Sequence, residues 1–254
     1  MTDVVKDATS CARAEVITAY AQYTRWKRWG VPFAYSPTQA RYFRIETRGV
    51  RIADADVLEI GFGSGAFLAW ARSLGARVSG TEIIPELVEE ASRHEVSLLP
   101  PDFEAASERF TESFDTIVAF DVFEHFLLSE VVTRLDAAHA MLRPGGHLIL
   151  RFPNGQSPFG LTQQHGDPTH MSVISLGKLE PYIARRGWNV VRYEGQAIVG
   201  GGGALRRSVR LFRSVLRGLV ARTIRFVYAV AHPMDAVVVL VLRKTLEQRH
   251  SPSA

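Results

Sequence analysis

Val57-Leu58-Glu59-Ile60-Gly61-Phe62-Gly63-Ser64-Gly65-Ala66 joins an apolar run to three alternating glycines. The apolar half reads as a buried strand. Gly61 lets the chain turn sharply and lets a ligand approach the backbone closely. The helix that follows aims its first amides and the positive end of its dipole at that ligand. Gly61, Gly63 and Ala66 also satisfy the G-x-G-x-x-A spacing of dinucleotide sites, with Glu82 near the place where that spacing wants an acid for ribose. A turn with a purely structural role is the third reading of the same residues.

Outward from this turn the pattern alternates. Strands are expected at Asp56–Gly61, Ala76–Glu82, Phe114–Asp121 and His147–Phe152. Helices are expected between them at Ala66–Leu74, Pro85–His94 and Ser129–Leu142, the last ended by Arg143-Pro144-Gly145-Gly146. Such alternation implies an α/β fold with a parallel, doubly wound sheet. Its right-handed crossovers leave a ligand crevice at the carboxyl ends of the strands. Further on, Leu176–Arg186 reads as a helix, Trp188–Tyr193 as a strand, Ala204–Ala231 as a helix and Ala236–Arg243 as a last apolar strand.

Three features separate the two ligand readings. Glu59 lies in the strand two residues before the first glycine, where a carboxylate would repel a pyrophosphate but can hold an ammonium. Phe114-Asp115-Thr116-Ile117-Val118-Ala119-Phe120-Asp121-Val122-Phe123-Glu124-His125 is a strand running into a loop with acids and a histidine. Leu142-Arg143-Pro144-Gly145-Gly146 leads straight into the next strand. As an ordered set, these motifs resemble class I S-adenosylmethionine-dependent methyltransferases over roughly residues 51–199. Asp121 to His125 is similar in style to the ubiquinone-type O-methyltransferases. A nicotinamide oxidoreductase is disfavoured by Glu59 and by the lack of a Tyr-x-x-x-Lys pair.

The resemblance implies a Rossmann-like sheet of seven strands in the order 3-2-1-4-5-7-6, the last antiparallel. It implies S-adenosylmethionine as cofactor. Gly61, Phe62, Gly63 and Gly65 would shape the cofactor loop, and Glu59 would support the methionine end. Glu82 would accept both ribose hydroxyls, Ile83 would pack on the adenine, and Asp121 would cap the cofactor near its sulfonium. The stretch Glu95 to Arg109 should carry strand three, but it is short and broken at Pro100-Pro101. Asp102 is the adenine contact it offers.

The acceptor side is expected after strand five. Arg151-Phe152-Pro153-Asn154-Gly155-Gln156-Ser157-Pro158-Phe159-Gly160 and Gln164-His165-Gly166-Asp167-Pro168-Thr169-His170 are too rich in proline and glycine for a helix and read as a long shaped loop. These two motifs resemble bacterial methyltransferases of surface-polysaccharide assembly, which implies a small-molecule or glycan acceptor bearing hydroxyls. A hydroxyl must lose its proton, and a neutral histidine is a suitable base near neutral pH. His125, His165, Asp167 and His170 are the candidates. His170 is expected as the base, with Asp167 orienting it or the acceptor. His165, Asp167 and His170 also have the donor types of a metal site, but the spacing fixes no geometry and no metal is assigned. A module that binds the cofactor without catalysis is the alternative function, and the histidine loop speaks against it.

Residues 1–50 are rich in aromatics and arginine, with helices expected near 12–28 and 37–49 as a lid; residues 51–254 form the methyltransferase domain. Residues 200–232 are read as a basic amphipathic insertion. Arg206, Arg210, Arg213 and Arg217 share one face at helical spacing, while Leu211, Phe212, Val215, Leu216, Leu219, Phe226 and Val230 share the other. No acid occurs between Glu194 and Asp235. Packing on the core and docking on an anionic membrane surface, suited to a lipid-linked acceptor, both fit this pattern. Nucleic acid is not expected. Cys11 is the single cysteine, so no disulfide forms within one chain. The polar start lacks an apolar signal core, and the expected location is cytoplasmic, with peripheral contact at the inner membrane surface.

Overall fold

The computed structural model describes residues 30–200 and 203–245. The expected helix near 12–28, Cys11, Gly201 and Gly202, and the tail from Leu246 lie outside the described residues. The elements are α1 (Pro37–Glu46), β1 (Asp56–Ile60), α2 (Ala66–Arg72), β2 (Arg77–Thr81), α3 (Pro85–Arg93), β3 (Ser97–Leu98) and β4 (Phe114–Phe120). They continue with α4 (Leu128–Met141), β5 (Leu142–Pro153), α5 (Leu161–His165), α6 (Leu176–Arg185), β6 (Trp188–Gly195), α7 (Ala204–Tyr228) and β7 (Val237–Lys244).

The seven strands form one sheet in the order β3-β2-β1-β4-β5-β7-β6. Strands β1 to β5 pair in parallel, and β7 runs antiparallel between β5 and β6. The central strands read as unbroken apolar runs because both faces are covered. Leu58, Ile117, Leu148 and Leu240 point into one core, and Val57, Val118, Ile149 and Val239 into the other.

Two differences from the sequence reading bear on the strands that frame the crevice. The Leu142–Gly146 stretch is not a plain helix stop. It already belongs to β5: Leu142 pairs with Phe114, His147 pairs with Thr116, and the register shifts between them. Strand β3 is only Ser97–Leu98, because Pro100 and Pro101 cannot donate to a ladder. Its two residues still pair with Ser79 and Gly80 of β2, which keeps the following loop beside the cofactor crevice.

At the amino edge of the sheet, Asp56 and Asp115 are held by Arg77 and Arg143. Hydrogen bonds from Arg77 and Arg143 outweigh desolvation and draw the Asp56 carboxyl below its ordinary range. These ions sit at the opposite end of the strands from the crevice, and their role is structural.

Candidate functional site

The glycine turn takes the shape its spacing implies. Gly61, Gly63 and Gly65 all have left-handed φ, at 63°, 52° and 70°. At Gly61 an added Cβ would meet Val122 Cγ2 at 2.8 Å, and at Gly65 it would meet the Phe33 ring at 2.4 Å. Glycine is therefore required on both steric and backbone grounds. Phe33 belongs to the expected lid, and its amide donates to the Ser64 carbonyl at 2.7 Å. From the same segment, Gln39, Tyr42 and Phe43 line the crevice.

Above the turn lies a cavity of about 630 Å³. Its lining includes Glu59, Gly61, Phe62, Gly63, Glu82, Ile83, Asp102, Asp121 and His125. The structure thus brings together every residue expected to hold the cofactor except Gly65, which stands behind the turn as the cap of α2. His165 and His170 do not line the cavity.

Glu82 is a buried carboxylate at the end of β2. One oxygen accepts the amides of Ile83 and Ile84 at 2.7 and 3.1 Å, and the other accepts the Gly63 amide at 2.9 Å. Burial pushes its pKa up, and the three amide bonds offset only part of that. A carboxylate has about four acceptor positions. In this arrangement Glu82 anchors the glycine loop and keeps roughly one position for a ribose hydroxyl rather than two.

Glu59 is buried in the cavity floor, and among the described residues its Oε2 has no hydrogen-bond partner. Burial holds its pKa well above the ordinary carboxylate value; the nearby Arg151 acts in the opposite direction. A buried carboxylate with an unmet acceptor calls for a cationic donor. The ammonium of a methionine-type ligand would meet that need, so the floor fits S-adenosylmethionine.

Arg151, at the carboxyl end of β5, opens the segment read as the acceptor side but was given no role there. Its Nε donates to Asp121 Oδ1 at 2.8 Å, and its other nitrogens donate to Asp121 Oδ2 and the Tyr42 hydroxyl. Burial opposes its charge, but Asp121 and Tyr42 more than offset this and raise its pKa. Burial also pushes the Tyr42 hydroxyl up, so that it stays neutral. Asp121 has a left-handed φ of 56°, which turns its carboxylate towards Arg151. Asp121 lines the cavity, as expected, but as half of an ion pair. An arginine ending an otherwise apolar strand at the crevice was the signal for Arg151.

The acceptor loop divides into scaffold and site. The Asn154 amide donates to the carbonyls of Pro233 and Asp235, and the Ser157 hydroxyl donates to that of Met234. These motif residues tie the loop to the start of β7. The second half folds back on the turn Phe123–His125: the amides of Met171 and Ser172 donate to the Glu124 carbonyl at 2.8 and 3.0 Å. That docking joins residues about 45 positions apart in sequence.

There His125 Nδ1 lies 2.9 Å from Thr169 Oγ1 and 3.2 Å from the Thr169 carbonyl. The Thr169 hydroxyl donates to Asp167 Oδ1, and the Thr169 amide donates to the same oxygen at 3.0 Å. Burial works against ionisation of Asp167. The two Thr169 bonds and the neighbouring imidazoles outweigh it and keep the carboxyl below its ordinary range. The Thr169 hydroxyl proton is committed to Asp167, so Nδ1 is the donor in this contact and Nε2 is the basic nitrogen of His125.

His170 sits behind His125, the two rings meeting edge to face at 4.8 Å between centroids. Its Nδ1 faces the Gln164 carbonyl at 3.1 Å, and its Nε2 lies 3.9 Å from Glu124 and 3.8 Å from Asp167. Asp167 thus reaches both histidines, His125 through Thr169 and His170 at ion-pair distance. His165 is exposed at the end of α5. Donor atoms of Glu124, His125 and His170 lie within 4.8 Å of one another, so these three residues could hold a divalent cation. This set differs from the His165, Asp167 and His170 grouping weighed from spacing.

Comparison with known proteins identifies the family and the fold. A family model described as a methyltransferase domain matches residues 35–193. A ubiquinone biosynthesis O-methyltransferase of Xanthomonas euvesicatoria pv. vesicatoria is 31% identical over 123 residues, covering 46% of this chain and 49% of that protein. The corresponding protein of Xanthomonas campestris pv. campestris strain B100 is 29% identical over 135 residues, covering 50% and 55%. The chain spans about half the length of the curated relatives it matches. Among solved structures, a SAM-dependent methyltransferase from Archaeoglobus fulgidus superposes with a TM-score of 0.58 at 17% identity, covering 81% of this chain and 91% of that one. The Burkholderia thailandensis 1,6-didemethyltoxoflavin-N1-methyltransferase, solved with S-adenosylhomocysteine bound, gives 0.54 at 17% identity, covering 94% and 89%. At these identities the structural likeness concerns the fold.

Proposed function

This chain belongs to the methyltransferase-domain family of class I, S-adenosylmethionine-dependent enzymes, and on that ground we infer that it methylates a hydroxyl oxygen of a small-molecule or glycan acceptor. The observation that carries the oxygen assignment is the His125–Thr169–Asp167 relay at the cavity wall. An amine acceptor free of its proton needs no base, whereas a hydroxyl does. When bound, S-adenosylmethionine supplies a methyl group on a sulfonium, which the oxygen takes while the S–C bonding pair stays on sulfur.

The chain's own residues do the rest. Glu59 would hold the ammonium end, Glu82 would hold a ribose hydroxyl while pinning Gly63, and Ile83 and Asp102 would flank the base. The Arg151–Asp121–Tyr42 group keeps the charge of the crevice balanced and its wall fixed. Alignment of an already reactive donor with the acceptor supplies much of the rate. His125 takes the hydroxyl proton on Nε2, and Asp167, acting through Thr169, steadies the resulting imidazolium.

A second reading rests on the convergence of Glu124, His125 and His170 donor atoms. There a divalent cation would bind the acceptor oxygen and lower its pKa, in place of a base. Both readings are tested by incubating the protein with methyl-labelled S-adenosylmethionine and two acceptor classes, polyprenylated phenols and sugar hydroxyls. The expected result is an O-methyl product from one class, unaffected by chelator. Loss of turnover on chelation, restored by added metal, selects the cation reading. Label found on nitrogen contradicts both.

A further inference from the structure

Among the described residues, α7 is a helix of 25 residues that buries no side chain. Its large apolar groups stand in solvent, with Phe212 68% exposed, Leu219 54% and Phe226 88%. The half-buried helix positions are Arg210, Ala221 and Ile224. At about 100° per residue these three lie roughly opposite Val215, Leu219 and Phe226. The least exposed positions of the helix therefore lie on its arginine-bearing side and its apolar stripe is turned outward, the inverse of a surface helix packed on a core. Arg207, Arg222 and Arg225 border the stripe and are exposed.

The placement matters as much as the pattern. Gly195, at the end of β6, pairs with Val238, and Val237 pairs with Pro153 at the carboxyl end of β5. The chain thus leaves for α7 and returns from it on the sheet edge where the cofactor cavity opens. Asn154 and Ser157 bind the returning segment directly.

We propose that α7 docks this protein on an anionic membrane surface. The helix lies in the plane of the headgroups, with Phe212, Val215, Leu219 and Phe226 at the acyl boundary and the arginines among lipid phosphates. Charge selects this occupant. No acidic residue occurs from 195 to 234, so a second copy of the helix would set seven arginines against seven. Phe212 and Phe226 lie away from the Arg206, Arg213 and Arg217 face, which gives nucleic-acid bases no stacking platform beside the charges. Among the described residues no helix is long and apolar enough to cross a membrane, so the contact is peripheral.

The test is sedimentation of the full chain with vesicles of phosphatidylcholine, alone or mixed with phosphatidylglycerol, and it requires no methyl acceptor. The protein should pellet with the mixed vesicles at low salt and be released as salt rises. Each bordering arginine contributes about five-fold to partition, so Arg207→Gln, Arg222→Gln and Arg225→Gln together should lower it about a hundred-fold. Phe212→Ser with Leu219→Ser and Phe226→Ser should abolish it while leaving S-adenosylhomocysteine affinity unchanged. A wild-type protein that stays in the supernatant, or pellets equally without phosphatidylglycerol, overturns the proposal. So does undiminished binding of the serine variant, or a dimer in lipid-free solution that the serine variant dissociates.

Discussion

His125→Ala is expected to lower turnover by about 10²- to 10⁴-fold, the range for removal of a positioned base, while cofactor affinity stays within a few-fold of wild type. His125 is chosen over His170 because it lines the cavity and because its Nδ1 is already committed to Thr169. Single-turnover kinetics with saturating S-adenosylmethionine gives the number. Thr169→Val should reproduce part of the loss, since it cuts the link to Asp167 without touching the cavity wall. His170→Ala should cost less than His125→Ala if the relay is the working unit. A larger loss in His170→Ala would return the role of base to His170 or point to the cation site.

The second large effect concerns Glu82. Glu82→Ala should weaken S-adenosylhomocysteine binding by about 1.5–3 kcal/mol, roughly ten- to a hundred-fold, the scale of a hydrogen bond to a charged partner. The geometry adds a consequence the motif did not carry. Glu82 also accepts the amides of Gly63, Ile83 and Ile84, so its removal frees the loop as well as the ribose contact. Glu82→Gln keeps an acceptor and should fall between the two. Unchanged affinity in Glu82→Ala would remove Glu82 from the site.

The alternation of apolar strands and helices from Asp56 to Phe152 was enough to read the parallel half of the sheet, because each strand there is covered on both faces. The antiparallel β7 and the full strand order came from the resemblance of the motifs, not from periodicity, and the structure has that order. The histidine pair was legible only as a set of candidates. His125 and Thr169 meet through the docking of residues 171–172 on the Glu124 carbonyl, a tertiary event with no local signature. The role of Arg151 was not legible, because a charge at the end of an apolar strand has no assigned partner until Asp121 and Tyr42 are seen around it. For α7 the two faces were legible, but not which one is turned to solvent. Helical spacing is identical for a helix with its apolar stripe turned inward or outward.

Calorimetric titration of the full chain with S-adenosylhomocysteine, at two pH values and beside NAD, tests the central claim most directly. The sign follows from Glu59. Burial raises its pKa in the empty cavity, so at lower pH it is protonated and cannot pair with an ammonium. Affinity should therefore rise as pH rises through the Glu59 titration, for as long as the ligand amine keeps its proton. Glu59→Gln should flatten that dependence. The account predicts saturable binding of S-adenosylhomocysteine that strengthens with pH, and no heat with NAD. Saturable binding of NAD, or no binding of S-adenosylhomocysteine at either pH, would contradict it.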